Sequence, residues 1–143
     1  MPPVNPASPC PCGRLGARRR PLAYADCCGR WHAADLPGTV PDAETLMRSR
    51  YTAYVLGLRE YLLATWHAST RPQKIEPDEP GLHWLGLEVR RHQAQDTDHA
   101  LVEFVARSKL GGRAHRLHET SRFVREPDGR WYYLDGAFEP RRP

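Results

Sequence analysis

The chain has 143 residues, which suits one domain of ordinary size plus one small appendage. Its apolar fraction of 40% and charged fraction of 27% are those of a soluble protein with a single core. No apolar run of about 18 residues is present to form a spanning helix, and the proline-rich start from Met1 to Pro9 lacks the apolar stretch of a secretory signal. A cytoplasmic location is expected, where thiols stay reduced. The formal net charge of +4 is unevenly placed. Of 21 basic and 17 acidic side chains, five arginines and a single acid, Asp26, fall in the first 32 residues, so the remaining 16 of each sign balance.

The first chemistry-bearing element is a cysteine cluster. Cys10-Pro11-Cys12 and Cys27-Cys28 are separated by fourteen residues, and no cysteine follows. Four thiolates satisfy the tetrahedral preference of structural zinc, so Cys10, Cys12, Cys27 and Cys28 are the expected ligands. Pro11 stiffens the first pair, and Gly13 lets the chain turn with positive φ. Adjacent ligands demand a tight turn, which makes His32 the alternative to Cys28 as fourth ligand. A disulfide within either pair would be badly strained. Bridges between the pairs remain the geometric alternative, which a reducing compartment disfavours. No Cys-x-x-Cys redox element is present.

Next come the linker and the helices. Leu36-Pro37-Gly38-Thr39-Val40-Pro41 reads as a linker, its two prolines and glycine breaking regular structure. Asp42 is a natural N-cap with Glu44 in the first turn. From there Leu46, Met47, Tyr51, Tyr54, Val55 and Leu58 recur at helical spacing, up to a break at Gly57. A second short helix is expected over about Glu60–His67, and a loop with Pro72, Pro77 and Pro80 over 68–81.

After residue 82 the period changes to that of strands. His83–Gln95, Ala100–Leu110, Arg113–Glu126 and Arg130–Asp135 are separated by hairpin signals at Asp96-Thr97-Asp98, Gly111-Gly112 and Pro127-Asp128-Gly129. Four strands in a meander preceded by helices predict an α+β fold, with helices packed on one face of a curved antiparallel sheet. The third strand alternates His115, Leu117, Glu119, Ser121 and Phe123 against Arg116, His118, Thr120, Arg122 and Val124. Neither face is purely apolar, which suits a sheet that curls round a cleft. The expected divisions are a knuckle over 1–35, a linker over 36–41, a cone domain over 42–138 and a tail over 139–143.

Cys10-Pro11-Cys12-Gly13 followed by Tyr24-Ala25-Asp26-Cys27-Cys28-Gly29 resembles the SEC-C motif, the zinc knuckle at the C-terminus of the SecA translocation ATPase. Leu46-Met47-Arg48-Ser49-Arg50-Tyr51-Thr52-Ala53-Tyr54, Ala64-Thr65-Trp66-His67, Glu119-Thr120-Ser121-Arg122-Phe123 and Trp131-Tyr132-Tyr133-Leu134-Asp135-Gly136 resemble the bacterial YchJ family. The resemblance covers nearly the whole chain. It implies the cone-shaped fold of the nuclear-transport-factor-two and cystatin-like group, which hosts enzymes and binding modules alike. The usual motif holds about eight residues between its cysteine pairs and this chain fourteen, an insertion a hairpin tolerates because loop-closure cost grows only logarithmically with length.

Two further sets of residues are candidates for function. Arg18, Arg19 and Arg20, with Arg14 and Arg30 nearby, can meet an acidic protein or ribonucleoprotein surface; the alternative is a solvated loop. The SecA knuckle docks on the acidic chaperone SecB, so the resemblance favours an acidic protein. Weak, salt-sensitive nucleic-acid binding is a further alternative. The second set is an inward-facing pocket of Tyr54, Trp66, His67, Trp84, His115, Glu119, Arg122 and Asp135, in which a His–carboxylate pair would be a general base. Against it, Trp66 and Trp84 also read as core, Glu119 and Arg122 as a structural ion pair, and His67 as a helix cap. Arg48 and Arg50 flank the helical stripe and either bridge to the knuckle or lie exposed. No hydrolase, kinase or nucleotide motif is present, so no catalytic residue is assigned. The reading is a non-enzymatic interaction module with structural zinc, in which metal loss unfolds residues 10–32 and leaves the cone largely folded; a ligand-binding or enzymatic cone is the alternative.

Overall fold

Prolines and glycines leave the N-terminal segment few options other than a hairpin. Pro9 pairs with Ala23 and Leu15 with Pro21 in isolated antiparallel bridges. The Cys10 amide donates to the Leu22 carbonyl at 2.8 Å, and Gly13 turns the chain at φ 74°. A 3-10 turn over Ala17–Arg19 forms the tip, and a second over Tyr24–Asp26 leads into a one-turn helix α1, Cys28–His32. The computed structural model describes residues 5–138. Residues 1–4 of the expected knuckle and the tail 139–143 lie outside the described residues.

Helix α2 spans Ala43–Leu56. The Asp42 side chain accepts the Thr45 amide at 2.8 Å, an N-cap that satisfies one of the orphan donors of the first turn. Gly57 ends the helix in the left-handed region at φ 73°, the conformation in which a Cβ would be penalised. The short helix α3, Arg59–Ala64, begins close to the expected start and stops three residues before the expected end. There the chain is taken over by the sheet: the Tyr133 amide donates to Thr65 O at 2.9 Å and the His67 amide to Tyr133 O at 2.8 Å.

Strands β1 (His83–Ala94), β2 (His99–Leu110), β3 (Arg113–Arg125) and β4 (Trp131–Phe138) form one antiparallel meander in the order β1-β2-β3-β4. Gly111 and Gly112 both have positive φ, 59° and 78°, as a two-residue hairpin with the right twist requires. Register shifts interrupt β1 at Trp84/Gly86 and Val89/Arg91 and the β3–β4 pairing at Arg122/Phe123. Such bulges increase local twist and bend a sheet round what covers it. The covering element is α2.

α2 is buried nearly all round rather than along one stripe. Thr45, Ser49, Arg50 and Thr52 are buried with the apolar positions, because the knuckle lies against one side of α2 and the sheet against another. One core cluster contains all four cysteines together with Leu46, Met47, Tyr51, Val102, Phe104 and Phe123. The segment read as a linker is also held: the Trp131 amide donates to Gly38 O at 2.9 Å and Arg130 Nε to Pro37 O at 2.6 Å.

Candidate functional site

The hairpin and α1 bring the two cysteine pairs together. The sulfurs of Cys10, Cys12, Cys27 and Cys28 all lie within 4.8 Å of one another, every one buried. All four thiols are free. Hydrogen bonding from Cys10, with burial adding to it, pushes the Cys27 and Cys28 thiols up. A bound dication reverses that balance, since a coordinating thiol is deprotonated outright. Four soft donors in one dry cluster can hold a metal ion, and they leave no open position of the kind catalytic metals keep.

α2 supplies the surroundings of this cluster. The Thr52 hydroxyl donates to Cys28 Sγ at 3.3 Å and lies 3.8 Å from Cys10 Sγ. Arg48 donates to the Cys12 carbonyl at 3.1 Å and to Glu44 at 2.8 Å, so it bridges helix to knuckle. His32 stays out of the quartet. Its Nε2 donates to the Ser49 carbonyl at 2.8 Å, and its Nδ1 accepts from the Tyr24 hydroxyl at 2.6 Å. Burial pushes its pKa down, which keeps the ring neutral in that tautomer.

The five arginines of the first quarter divide by role. Arg14 turns inward, donating to Thr45 Oγ1 at 3.0 Å and lying 3.8 Å from Glu44. Arg30 covers the Trp31 ring at 4.8 Å. Arg18, Arg19 and Arg20 are exposed at the hairpin tip. Arg18 and Arg19 have φ of 56° and 57°, a conformation that costs an L-residue about 1 kcal/mol or more. The strain is sustained by the Gly16 amide bonding Arg20 O at 2.8 Å across the tip.

The cone holds a cavity of about 480 Å³ that is open to solvent on one side. Of the eight residues expected there, Tyr54, Trp84 and Glu119 line it. Trp66 packs behind it, edge-on to Tyr133 at 5.0 Å, with its indole nitrogen buried and unpartnered. The other four lie elsewhere. His115 shares the inward parity of β3 but sits exposed near the β2–β3 turn, paired with Ser108. His67 bonds Glu126 at 2.5 Å and Ser69 at 2.7 Å. Arg122 pairs with Asp135 on the outer face, Nε to Oδ1 at 2.6 Å, so the expected Glu119–Arg122 pair is not formed. The bulge explains Asp135: Phe123 faces Tyr133 but Arg122 faces Asp135, so Leu134 is the extra residue and parity reverses across it.

Contrary to the expectation from sequence, Arg50 neither bridges to the knuckle nor lies exposed; it is buried against Leu62 and Thr65 and lines the cavity with Tyr51, Ser121 and Tyr133. Leu46, Arg50 and Tyr54 follow one another at four-residue spacing, which is the signal that places Arg50 on the packed face. Burial chiefly raises the Glu119 carboxyl above its ordinary range. It also pushes the Tyr51 and Tyr133 phenols up to about 12, so both remain hydroxyl donors. Among the described residues the His–carboxylate pairs, such as His67–Glu126 and His118–Glu103, lie outside this cavity.

No helix among the described residues is long and apolar enough to cross a membrane. Comparison with known proteins matches residues 42–136 to the family described as YchJ, middle NTF2-like domain. The chain is 66% identical over 132 residues to a UPF0225 protein of Methylibium petroleiphilum, covering 92% of this chain and 90% of that protein. It is 58% identical over 134 residues to a UPF0225 protein of Bordetella pertussis, covering 92% and 96% respectively. Among solved structures, a SEC-C motif containing protein from Psychrobacter arcticus superposes with a TM-score of 0.76 at 31% identity, covering 96% of this chain and 86% of that one. A matched domain that spans most of the sequence, and relatives this similar along nearly their whole length, establish that the chain belongs to the YchJ family.

Proposed function

We propose that the chain is a zinc-stapled, non-enzymatic interaction module whose arginine hairpin engages an acidic protein or ribonucleoprotein surface. Zinc is the ion best suited to four thiolates in a site without an open position, and Cys10, Cys12, Cys27 and Cys28 would hold it. Its role would be to fix the hairpin that carries the arginines. The observation that carries the reading is the tip itself. Arg18, Arg19 and Arg20 are exposed on a strained, tightly hydrogen-bonded turn, and they make no ion pair among the described residues. Backbone strain held in place by surrounding structure is characteristic of recognition loops. The SEC-C motif in a structural neighbour supports the metal-stapled part of the reading.

The test compares the full chain with its Arg18→Ala/Arg19→Ala/Arg20→Ala variant as baits in native lysate, with and without nuclease. Acidic proteins held by the wild type, insensitive to nuclease and lost with the variant, are the expected result. Capture that disappears with nuclease would transfer the role to nucleic acid, and its affinity would then fall steeply with salt. An identical set of partners for both baits would remove the hairpin from the account.

A further inference from the structure

α2 carries an arginine where its packing stripe calls for a hydrocarbon. Arg50 is only 5% exposed. Its Nη1 donates to Leu62 O and to Thr65 Oγ1, each at 2.7 Å, and its Cζ lies 5.0 Å from the Trp66 ring centroid and 4.7 Å from that of Tyr133. A guanidinium taken out of water in this way is costly unless an opposite charge faces it. Glu119 of β3 lines the same cavity and acts on the guanidinium across that space, without an ion pair to it among the described residues. Its carboxylate accepts from the Ser121 hydroxyl and sits directly over Gly136 of β4, where a Cβ would overlap it. The sheet therefore lacks a side chain at the point where the carboxylate is seated. The rest of the wall is mostly apolar and aromatic, with Tyr51, Tyr54, Trp84, Phe104, Leu117 and Phe123 prominent. At about 480 Å³ the space falls within the range of about 300–1,000 Å³ occupied by small-molecule sites.

These groups restrict the occupant. An anion meets Glu119 inside and Asp78 at the rim, where Asp78 accepts from Trp84 Nε1 at 2.9 Å. A cation meets Arg50. A neutral group that both accepts and donates satisfies the pair without disturbing its charge balance, and aromatic walls favour a flat body. We infer that the cone cavity binds a neutral, flat, largely apolar molecule with an adjacent hydrogen-bond acceptor and donor on one edge, as in a lactam. Arg50 donates to the acceptor and Glu119 accepts from the donor. This site is independent of the arginine hairpin and of any partner it holds.

Calorimetric titration of the full chain with three probes tests the assignment: 2-quinolinone, its N-methyl derivative, and naphthalene-2-carboxylate. 2-Quinolinone should bind saturably, one per chain. The N-methyl compound should bind about tenfold more weakly or worse, because a site built to accept a hydrogen bond rejects a ligand that lacks the donor. The carboxylate should bind no better than the N-methyl compound. Glu119→Gln leaves Arg50 without its counter-charge and should invert the order, so that the carboxylate becomes the tightest of the three. Leu117→Trp fills the cavity and should abolish binding of all three with the far-ultraviolet circular dichroism unchanged. The inference is overturned if 2-quinolinone does not saturate the wild type, if methylation of its nitrogen costs nothing, if the wild type prefers the carboxylate, or if 2-quinolinone binding survives Leu117→Trp.

Discussion

Thr52 has two sulfurs within reach of one hydroxyl. It donates to Cys28 Sγ at 3.3 Å, with Cys10 Sγ at 3.8 Å, and it is fully buried. A donor to a coordinating sulfur tempers the charge on that ligand and fixes its direction, and loss of such a contact typically weakens metal affinity about 10–100-fold. Thr52→Val keeps the shape and removes the hydroxyl. Zinc affinity measured by chelator competition should fall about tenfold, while the circular dichroism of the loaded chain stays that of the wild type. Unchanged affinity would show that Thr52 serves packing alone. In sequence, Thr52 is an unremarkable helical residue. Its role depends on a partner 24 positions away, a distance no local pattern reports. The cysteines were legible for the opposite reason, since ligand type and pairing by themselves specify the chemistry.

The elements were legible wherever a local rule governs them. Asp42 caps α2 and Gly57 ends it in the left-handed region, and the glycine and aspartate turns mark the hairpins between strands. Asp42→Ala should lower unfolding free energy by about 1 kcal/mol in urea titration; a change near zero would mean that tertiary contacts, not the cap, start the helix. Side-chain direction was less legible. Alternation along β3 sets Glu119 and Arg122 on opposite faces, which rules out the expected placement of both in the pocket, and parity along β4 fails at Leu134, because a bulge depends on pairing with a neighbour. Burial of α2 was under-read as a single stripe, since the knuckle that covers its other side folds from a distant part of the sequence. The same cause hid Arg50, whose charge argues for solvent until Leu62, Thr65 and Tyr133 are brought round it.

On the scale of the whole molecule, charge and core divide differently. Exposed cone charges pair with one another, as in Arg122–Asp135, Arg125–Asp98 and Arg90–Glu88, whereas Arg18, Arg19 and Arg20 at the hairpin tip form no ion pair among the described residues. The core, by contrast, is continuous from the cysteines through α2 to the sheet. Sequence alone suggests that metal loss would unfold the knuckle and spare the cone, but a shared core couples the two. Stripping the metal should lower the melting midpoint of the entire chain by more than about 10 °C, because a tightly held ion stabilises everything that folds with its site. A cone that melts unchanged would uncouple them. The most direct measurement is the metal content of the freshly purified chain, read by native mass spectrometry. One zinc ion per molecule with four reduced sulfurs is the predicted result, and a metal-free chain or one carrying S–S bonds would contradict it.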